Sequence, residues 1–462
     1  METVEQSISA KESRKNFKRS FFRLLLTIAG QNIIVYGVNL LDNVMIGRYS
    51  ELALSGVFLV NQIQFLLQMI VGGISDGTVV IASRFWGEKK IEDIKKVSAT
   101  AMRVAVIISF LFMFAALLFP TEILGIFADK PNVIAEGEKY FVIVCLSYVF
   151  FAVTQTLLGM LRSVECTLIG FIDSCVALIL NFILNYMLIF GKCGFPELGI
   201  EGAAIATLTA RVGEFLVLFI YLAFFEKKLH VKFSDFLHSS REITKKFVKV
   251  SFPVVISGAI WGVAMGLQTA ILGRLTAPVI SANSIASTVF QIMSVFTYGS
   301  ATAASIMIAK TLGESKNVPQ DTLKKEIVYR SRWLQGVFIL LGILTGLGIF
   351  FFRNFIIGFY DISPETSELA RTFMLILSIT VVGTSYQMPC HTGIVRGGGD
   401  TSFVFYLDII SMWGVILPVS FLAAFVFKLS PAVIFFCLKA DQIYKCVIAA
   451  IKVNRYKWIK NI

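Results

Sequence analysis

Residues 168–190 read LIGFIDSCVALILNFILNYMLIF, and this stretch decides the fold. Its only charged side chain is Asp173, and its only amides are Asn181 and Asn185. An α-helix rises about 1.5 Å per residue, so a run of this length matches the roughly 30 Å hydrocarbon core of a bilayer. The stretch is expected to cross a membrane as one helix.

Working outward, comparable apolar segments fall near 24–46, 53–83, 98–119, 138–160, 201–224, 250–272, 278–309, 333–352, 366–393, 403–426 and 429–450. Helices are the form such runs take in lipid, because every backbone N–H and C=O must be satisfied internally. Composition agrees. Of 462 residues 56% are hydrophobic and 16% charged, against about 25% charged in ordinary soluble domains, and the mean hydropathy is +0.76. The 42 phenylalanines suit helix surfaces that face lipid. A net charge of +12 would suit nucleic acid in a soluble chain. In a membrane chain, basic loops set topology instead, so no nucleic-acid partner is expected. The seven cysteines are scattered without metal or disulfide spacing, and no cofactor is expected. The opening METVEQSISAKESRKNFKRSFF lacks the pattern of a cleaved signal peptide, so the first span is expected to stay in the membrane.

Lys and Arg orient the spans. With the N-terminus inside, the cytoplasmic segments hold 30 basic residues and the outer loops 6. The bias recurs at alternate loops, which predicts a multi-pass protein of the cytoplasmic (inner) membrane with both termini cytoplasmic. The chain also repeats itself. At an offset of 226 residues Gly47-Arg48 falls on Gly273-Arg274, Gly73 on Gly299, and Gly87-Glu88 on Gly313-Glu314. At 234, Gly159 falls on Gly393, Arg162 on Arg396 and Thr167 on Thr401. Six spans separate the matches, so the halves are parallel repeats. The expectation is an all-α membrane protein of twelve transmembrane helices, in two six-helix lobes related by a pseudo-two-fold axis along the membrane normal. Its parts are a cytoplasmic segment 1–23, an N-lobe 24–224, a cytoplasmic linker 225–249, a C-lobe 250–450 and a cytoplasmic tail 451–462.

Five stretches carry a resemblance: LLDNVMIGRYSELALSGV (40–57), GGISDGTVVIASRFWGEKKIEDIKK (72–96), GMLRSVECTLIGFIDSCVALILNFILNYMLIFG (159–191), GIEGAAIATLTARVGEF (199–215) and GIVRGGGDTSFVFYLD (393–408). They resemble the multidrug and toxic compound extrusion (MATE) transporters, the last stretch resembling that family's LRG-x-GDT signature, with Val395 at the leucine position. The likeness covers nearly the whole chain. It implies an antiporter that exports amphipathic, often cationic compounds against Na+ or H+, and a chain that works as a monomer.

Asp42, in the outer part of span 1, matches the family's cation-accepting aspartate. An ionisable group inside a membrane is expensive and usually serves a cavity; the plainer reading has Asp42 solvating a helix end near Arg48. Asn181 and Asn185 stand one turn apart on span 5 and point to one side. Archaeal-type members carry Asp at the second position, so Asn185 is a departure, leaving one carboxylate with two amides. That set suits a hard cation such as Na+; alternatively the amides only bond across helices. Thr207, Arg211 and Glu214 form one stripe on span 6. Thr207 matches a hydroxyl that completes the family's site, and Arg211 with Glu214 reads as a buried ion pair. Asp173 and Asp408 lie near the cytoplasmic third of their spans, where gating contacts or simple interfacial solvation are the alternatives, and solvation is the expectation. Lys439 and Asp441 cannot share a face, so each is expected to find a separate partner or to reach a cavity.

In the second half, the family's carboxylates in spans 7 and 10 fall on Trp261 and Ser385, and Gln268 takes the repeat position of Asp42. Coupling is therefore expected in the N-lobe. Trp261 could instead offer a ring to a cationic substrate. His391 is a candidate pH switch, though a lone buried His is usually a bonded packing residue. Span 1 has Thr27 where Pro253 stands in span 7, so no proline kink is expected there. A lipid-linked oligosaccharide flippase of the same superfamily is the runner-up; few intramembrane basic residues, chiefly Arg103 and Arg211, argue against it. No nucleophile–base pair, HExxH, P-loop or paired His ligand appears, so an enzyme is not expected.

Overall fold

A backbone surrounded by hydrocarbon must bond to itself. A computed structural model, which describes residues 2–127, 130–237, 240–314, 320–358 and 362–460, turns the apolar runs into helices. In order these are α1 (Glu2–Tyr49), α2 (Glu51–Gly87), α3 (Ile91–Leu118), α4 (Pro120–Gly125), α5 (Pro131–Val144), α6 (Ser147–Ser163), α7 (Leu168–Ile189), α8 (Gly199–Ile220) and α9 (Arg241–Gly273). There follow α10 (Ala277–Met293), α11 (Val295–Glu314), α12 (Gln320–Ile357), α13 (Pro364–Met388), α14 (Thr401–Ile409), α15 (Leu417–Phe421), α16 (Pro431–Lys439) and α17 (Asp441–Asn454). Among the described residues the only β pairing is an isolated bridge between Gly399 and Ile459.

Nine helical segments are long and apolar enough to cross a membrane, among the described residues. Two bent pairs raise this to eleven: α5 with α6 at 53°, and Pro278–Met293 with α11 at 42°. The first bend has a local cause. Cys145 and Ser147 return their side-chain hydrogens to the carbonyls of Val142 and Val144, which competes with the helical ladder. The twelfth expected span, near 429–450, is helical as the two short pieces α16 and α17. It carries Lys439, Asp441 and Lys445, and neither piece alone is long enough to cross a bilayer.

Three spans depart from α geometry. Residues Tyr221–Phe225, Pro389–Val395, Ile410–Ile416 and Leu422–Val426 form π-helical turns. At Pro389 the missing N–H and the ring forbid the normal i to i−4 bond. By contrast α1 is unbroken from Glu2 to Tyr49, and the Thr27 hydroxyl donates to the Arg23 carbonyl at 2.8 Å.

The contacts divide the chain into two units. One comprises Met1–Ala29, Ser83–Lys89 and Ala259–Ile462; the other Gly30–Ala82 and Lys90–Gly258. In the first, α13 packs on α10, α12 and α17, with the Phe373 and Phe435 rings stacked at 4.2 Å. In the second, α7 lies along α8, and α8 also meets α5 and α6. Two glycines set the close approach that positions the site. A Cβ at Gly202 would stand 2.6 Å from the Leu188 carbonyl oxygen, and one at Gly30 would stand 2.9 Å from the Phe171 ring. The backbone contact at Gly202 excludes a side chain and lets α7 approach α8 closely, while a side chain at Gly30 would require the Phe171 ring to shift.

Outside the spans, the segment before α9 is tied to α3. Lys95 pairs with Asp235 at 3.1 Å, and Arg103 donates to the Phe236 carbonyl at 3.2 Å. Partial burial pushes the Asp235 carboxyl up, but the Lys232 amide and the Lys95 ammonium outweigh it and hold it below the usual carboxylate range.

Candidate functional site

The site is built on α1, α5, α7 and α8 of the second unit. Asp42, seven residues before the end of α1, is half-buried. A carboxylate at such a place needs donors. It accepts a hydrogen bond of 2.5 Å from Nδ2 of Asn185. The same Nδ2 donates to Oδ1 of Asn181 at 3.1 Å. Asn185 is 0% exposed and Asn181 2%. They share the buried face of α7 because they are one turn apart, and that face meets α8.

One amide group thus bridges a carboxylate and a second amide oxygen, and its own oxygen is left over. Oδ1 of Asn185 is buried and has no hydrogen-bond partner among the described residues. Leaving such an acceptor unmet costs about 1–3 kcal/mol. The donor set is one carboxylate and two amide oxygens, which is the chemistry of a hard cation. A proton on Asp42 is the other species it can hold.

Thr207 lies on the buried side of α8 and bonds to the hydroxyl of Tyr140, from α5, which is within electrostatic reach of Asp42. Tyr140 is 4% exposed and was missed by the sequence reading. An aromatic inside an apolar span carries no local signal of a polar role. Arg211 and Glu214 form the expected ion pair at 2.8 Å, and the guanidinium lies 5.2 Å from the Phe151 ring centroid. Arg211 is also within electrostatic reach of Asp42 and Asp173. Asp173 corrects an expectation. It is 1% exposed rather than solvated, and it lies within reach of Glu214 and Arg211.

The second-half candidates lie apart from this cluster, in the first unit. Gln268 is buried and donates to Sδ of Met412 at 3.1 Å. Trp261 packs on the small group Ala264, Met412 and Ile416. Ser385 shares a hydrogen bond of 2.7 Å with Thr297. His391 meets Oε1 of Gln387 through Nδ1 at 3.1 Å, and its Nε2 is buried with no hydrogen-bond partner among the described residues. In the same unit an apolar cavity of about 570 Å3 is lined by Leu267, Ile271, Trp413, Phe421 and Phe425, with Arg274 its charged residue; Gln268 is not among its lining residues.

That half also holds a polar chain the sequence reading did not foresee. Gln387 donates to Gln442 at 2.9 Å, and Gln442 to Asp441 at 2.8 Å. Lys445 pairs with Asp441 at 3.3 Å and with Asp408 at 3.1 Å. Asp408 is therefore ion-paired rather than simply solvated. The Asp441–Lys445 spacing of four was the available signal. Lys439 stands 5.9 Å from the Phe435 ring centroid and is also within electrostatic reach of Asp441.

Known proteins match the chain along its length. A family model described as MatE matches residues 27–187 and 253–422. A protein of Thermotoga maritima named "Probable multidrug resistance protein NorM" is 24% identical over 97% of this chain and 95% of its own. A Bacillus cereus protein of the same name is also 24% identical, covering 91% of this chain and 90% of its own. Among solved structures, an outward-facing multidrug resistance MATE transporter of the MOP superfamily superposes with a TM-score of 0.84 at 16% identity, over 95% of this chain and 96% of that one. A MOP superfamily transporter from Pyrococcus furiosus gives the same score and identity over 96% and 97%. The shared fold is the two-lobed, twelve-helix one.

Proposed function

This chain belongs to the MatE family of membrane transporters, and on that footing we propose that it is a cation-coupled antiporter, driven by Na+ or H+, that exports amphipathic, cationic organic compounds by alternating access. The observation that carries the coupling is the Asn185 bridge: one amide joins Asp42 to Asn181 and leaves a buried oxygen unmet. A cation entering from outside supplies the positive charge that Asp42 lacks. Asn181, Asn185 and Thr207 are its further oxygen ligands or their supports. For binding to drive export, the cation must prefer the conformation that holds drug weakly, since a ligand with equal affinity for both states moves nothing.

The remaining assignments follow from this reading. The lobes are 24–224 and 250–450, joined by the cytoplasmic linker 225–249, in an inner membrane with both termini cytoplasmic, and the working unit is a monomer. Arg211 and Glu214 hold α8 in place for the site. Gln268, Trp261, Ser385 and His391 belong to the wall or gate on the substrate side. The apolar cavity lined by Leu267, Ile271 and Trp413 supports a substrate with a large apolar part. The flippase alternative is less well supported, because Arg211 and Arg103 are engaged by Glu214 and by the Phe236 carbonyl and are not displayed for a pyrophosphate.

The test is transport in proteoliposomes loaded with a fluorescent lipophilic cation. An imposed Na+ gradient or an imposed proton gradient is expected to drive counter-movement of the dye several-fold above the rate without a gradient. Indifference to both gradients overturns the coupling. Asn185→Asp restores a second carboxylate and is expected to tighten cation binding on the order of tenfold, a modest share of the few kcal/mol an added charge at about 4 Å supplies. Two adjacent carboxylates also share a proton, so binding becomes more pH-dependent. An unchanged affinity and pH profile would remove Asn185 from the ligand set.

A further inference from the structure

Three carboxylates and one guanidinium occupy the interior of the α1, α7 and α8 group. Asp42, Asp173 and Glu214 are all within electrostatic reach of Arg211. Arg211 is the only cation acting on Asp42 or Asp173 among the described residues. The next buried cation, Arg162, is engaged by Gln31 at 3.1 Å and by Asp76. The Arg211–Glu214 pair is neutral as a unit. Two carboxylates are then left without a counter-charge, in a medium that dissolves a lone charge poorly.

Asp42 has donors and a neighbouring set of oxygens. Asp173 has neither. It is 1% exposed, and its Oδ1 has no hydrogen-bond partner among the described residues. It lies on the same buried face of α7 as Ala177, Asn181 and Asn185. Eight residues separate it from Asn181, about 12 Å along the helix toward the cytoplasmic end, at about 1.5 Å per residue.

We propose that Asp173 is a second cation-accepting position, specific for a proton, so that this half of the transporter takes up two cations per cycle. The proposal rests on the antiporter reading, in which Asp42 is the first position. A metal ion such as Na+ needs several oxygens around it, and the carboxylate within electrostatic reach of Asp173 among the described residues, Glu214, is already held by Arg211. A proton needs one oxygen. It binds as O–H on the free Oδ1 from water on one side and leaves to water on the other. While bound, it relieves the repulsion between Asp173 and Glu214. Arg211 then stands between an outer site for Na+ or H+ and an inner site for H+, coupled to both through its charge.

The experiment is infrared difference spectroscopy of the purified full-length protein, titrated with acid and with NaCl, reading the carbonyl band of protonated carboxylic acids. Wild type is expected to show two such bands from this half, one of them abolished by Na+. Asp173→Asn loses the Na+-insensitive band and keeps the other; Asp42→Asn does the reverse. Asp173→Glu keeps a carboxyl, serves as the folding control, and shifts the band rather than removing it. In proteoliposomes, the cation-to-substrate ratio falls from two to one in Asp173→Asn. A spectrum and ratio unchanged by Asp173→Asn overturn the proposal, as does an Asp173→Glu spectrum identical to wild type. If instead Asp42→Asn changes nothing while the Asp173 band persists, the antiporter assignment of Asp42 fails and the protonation of Asp173 stands.

Discussion

Asp42→Asn abolishes export of the lipophilic cation, lowering gradient-driven transport by a factor of about 100 or more, while the protein still inserts and folds. Asparagine has the same shape, and its Oδ1 still accepts the bond that Asn185 donates at 2.5 Å. The packing of α1 against α7 is therefore kept, and only the charge is lost. A cation facing neutral amides alone loses most of its attraction, since a unit charge at about 4 Å is worth about 4 kcal/mol in surroundings of intermediate polarity. A loss of about 2.7 kcal/mol already lowers affinity about a hundredfold. Without a cation that distinguishes the two conformations, the gradient has no hold on the equilibrium. Dye transport and a thermal melt in detergent read the two halves of this expectation. Undiminished transport would take Asp42 out of the mechanism.

Arg211→Ala is the change with the largest expected effect on stability. The guanidinium pairs with Glu214 at 2.8 Å, and the side chains of the pair are 17% and 7% exposed. Removing one member of a buried pair leaves a charge with no compensation, which costs about 3–5 kcal/mol. Here the loss extends further, because Asp42 and Asp173 share the same cation. A melting temperature several degrees below wild type is expected. The double change Arg211→Leu with Glu214→Leu removes both charges and recovers much of the loss, because replacing a whole buried pair by apolar groups is often neutral. Melting that is equal in Arg211→Ala and wild type would mean the pair contributes nothing. Low transport in a well-folded double variant would separate the positioning of Asp42 from simple stability.

Much of this architecture is legible in the chain because lipid leaves the backbone few choices. Apolar runs of about 20 residues become helices, and basic loops alternate between them. Spacing also revealed local pairs: Asn181 with Asn185, and Arg211 with Glu214, lie one turn apart and do meet. Contacts between distant segments left no such mark. Tyr140 reaches Thr207 from another span, and Lys445 reaches Asp408 across 37 residues. Asp173 was placed by depth along the chain, which says nothing about the side it faces; the packing of α7 on α8 buries it. The helix breaks at Cys145–Leu146 and Ser294 were also hidden, since apolar content runs straight through them.

The central claim is that the carboxylate of Asp42 takes up the coupling cation. Equilibrium binding to the purified protein tests it most directly, with Na+ uptake and proton uptake measured together near neutral pH in wild type and Asp42→Asn. The account predicts that wild type binds one more cation than the variant, as Na+ or as a proton. Equal Na+ and equal proton binding by the two proteins would contradict it.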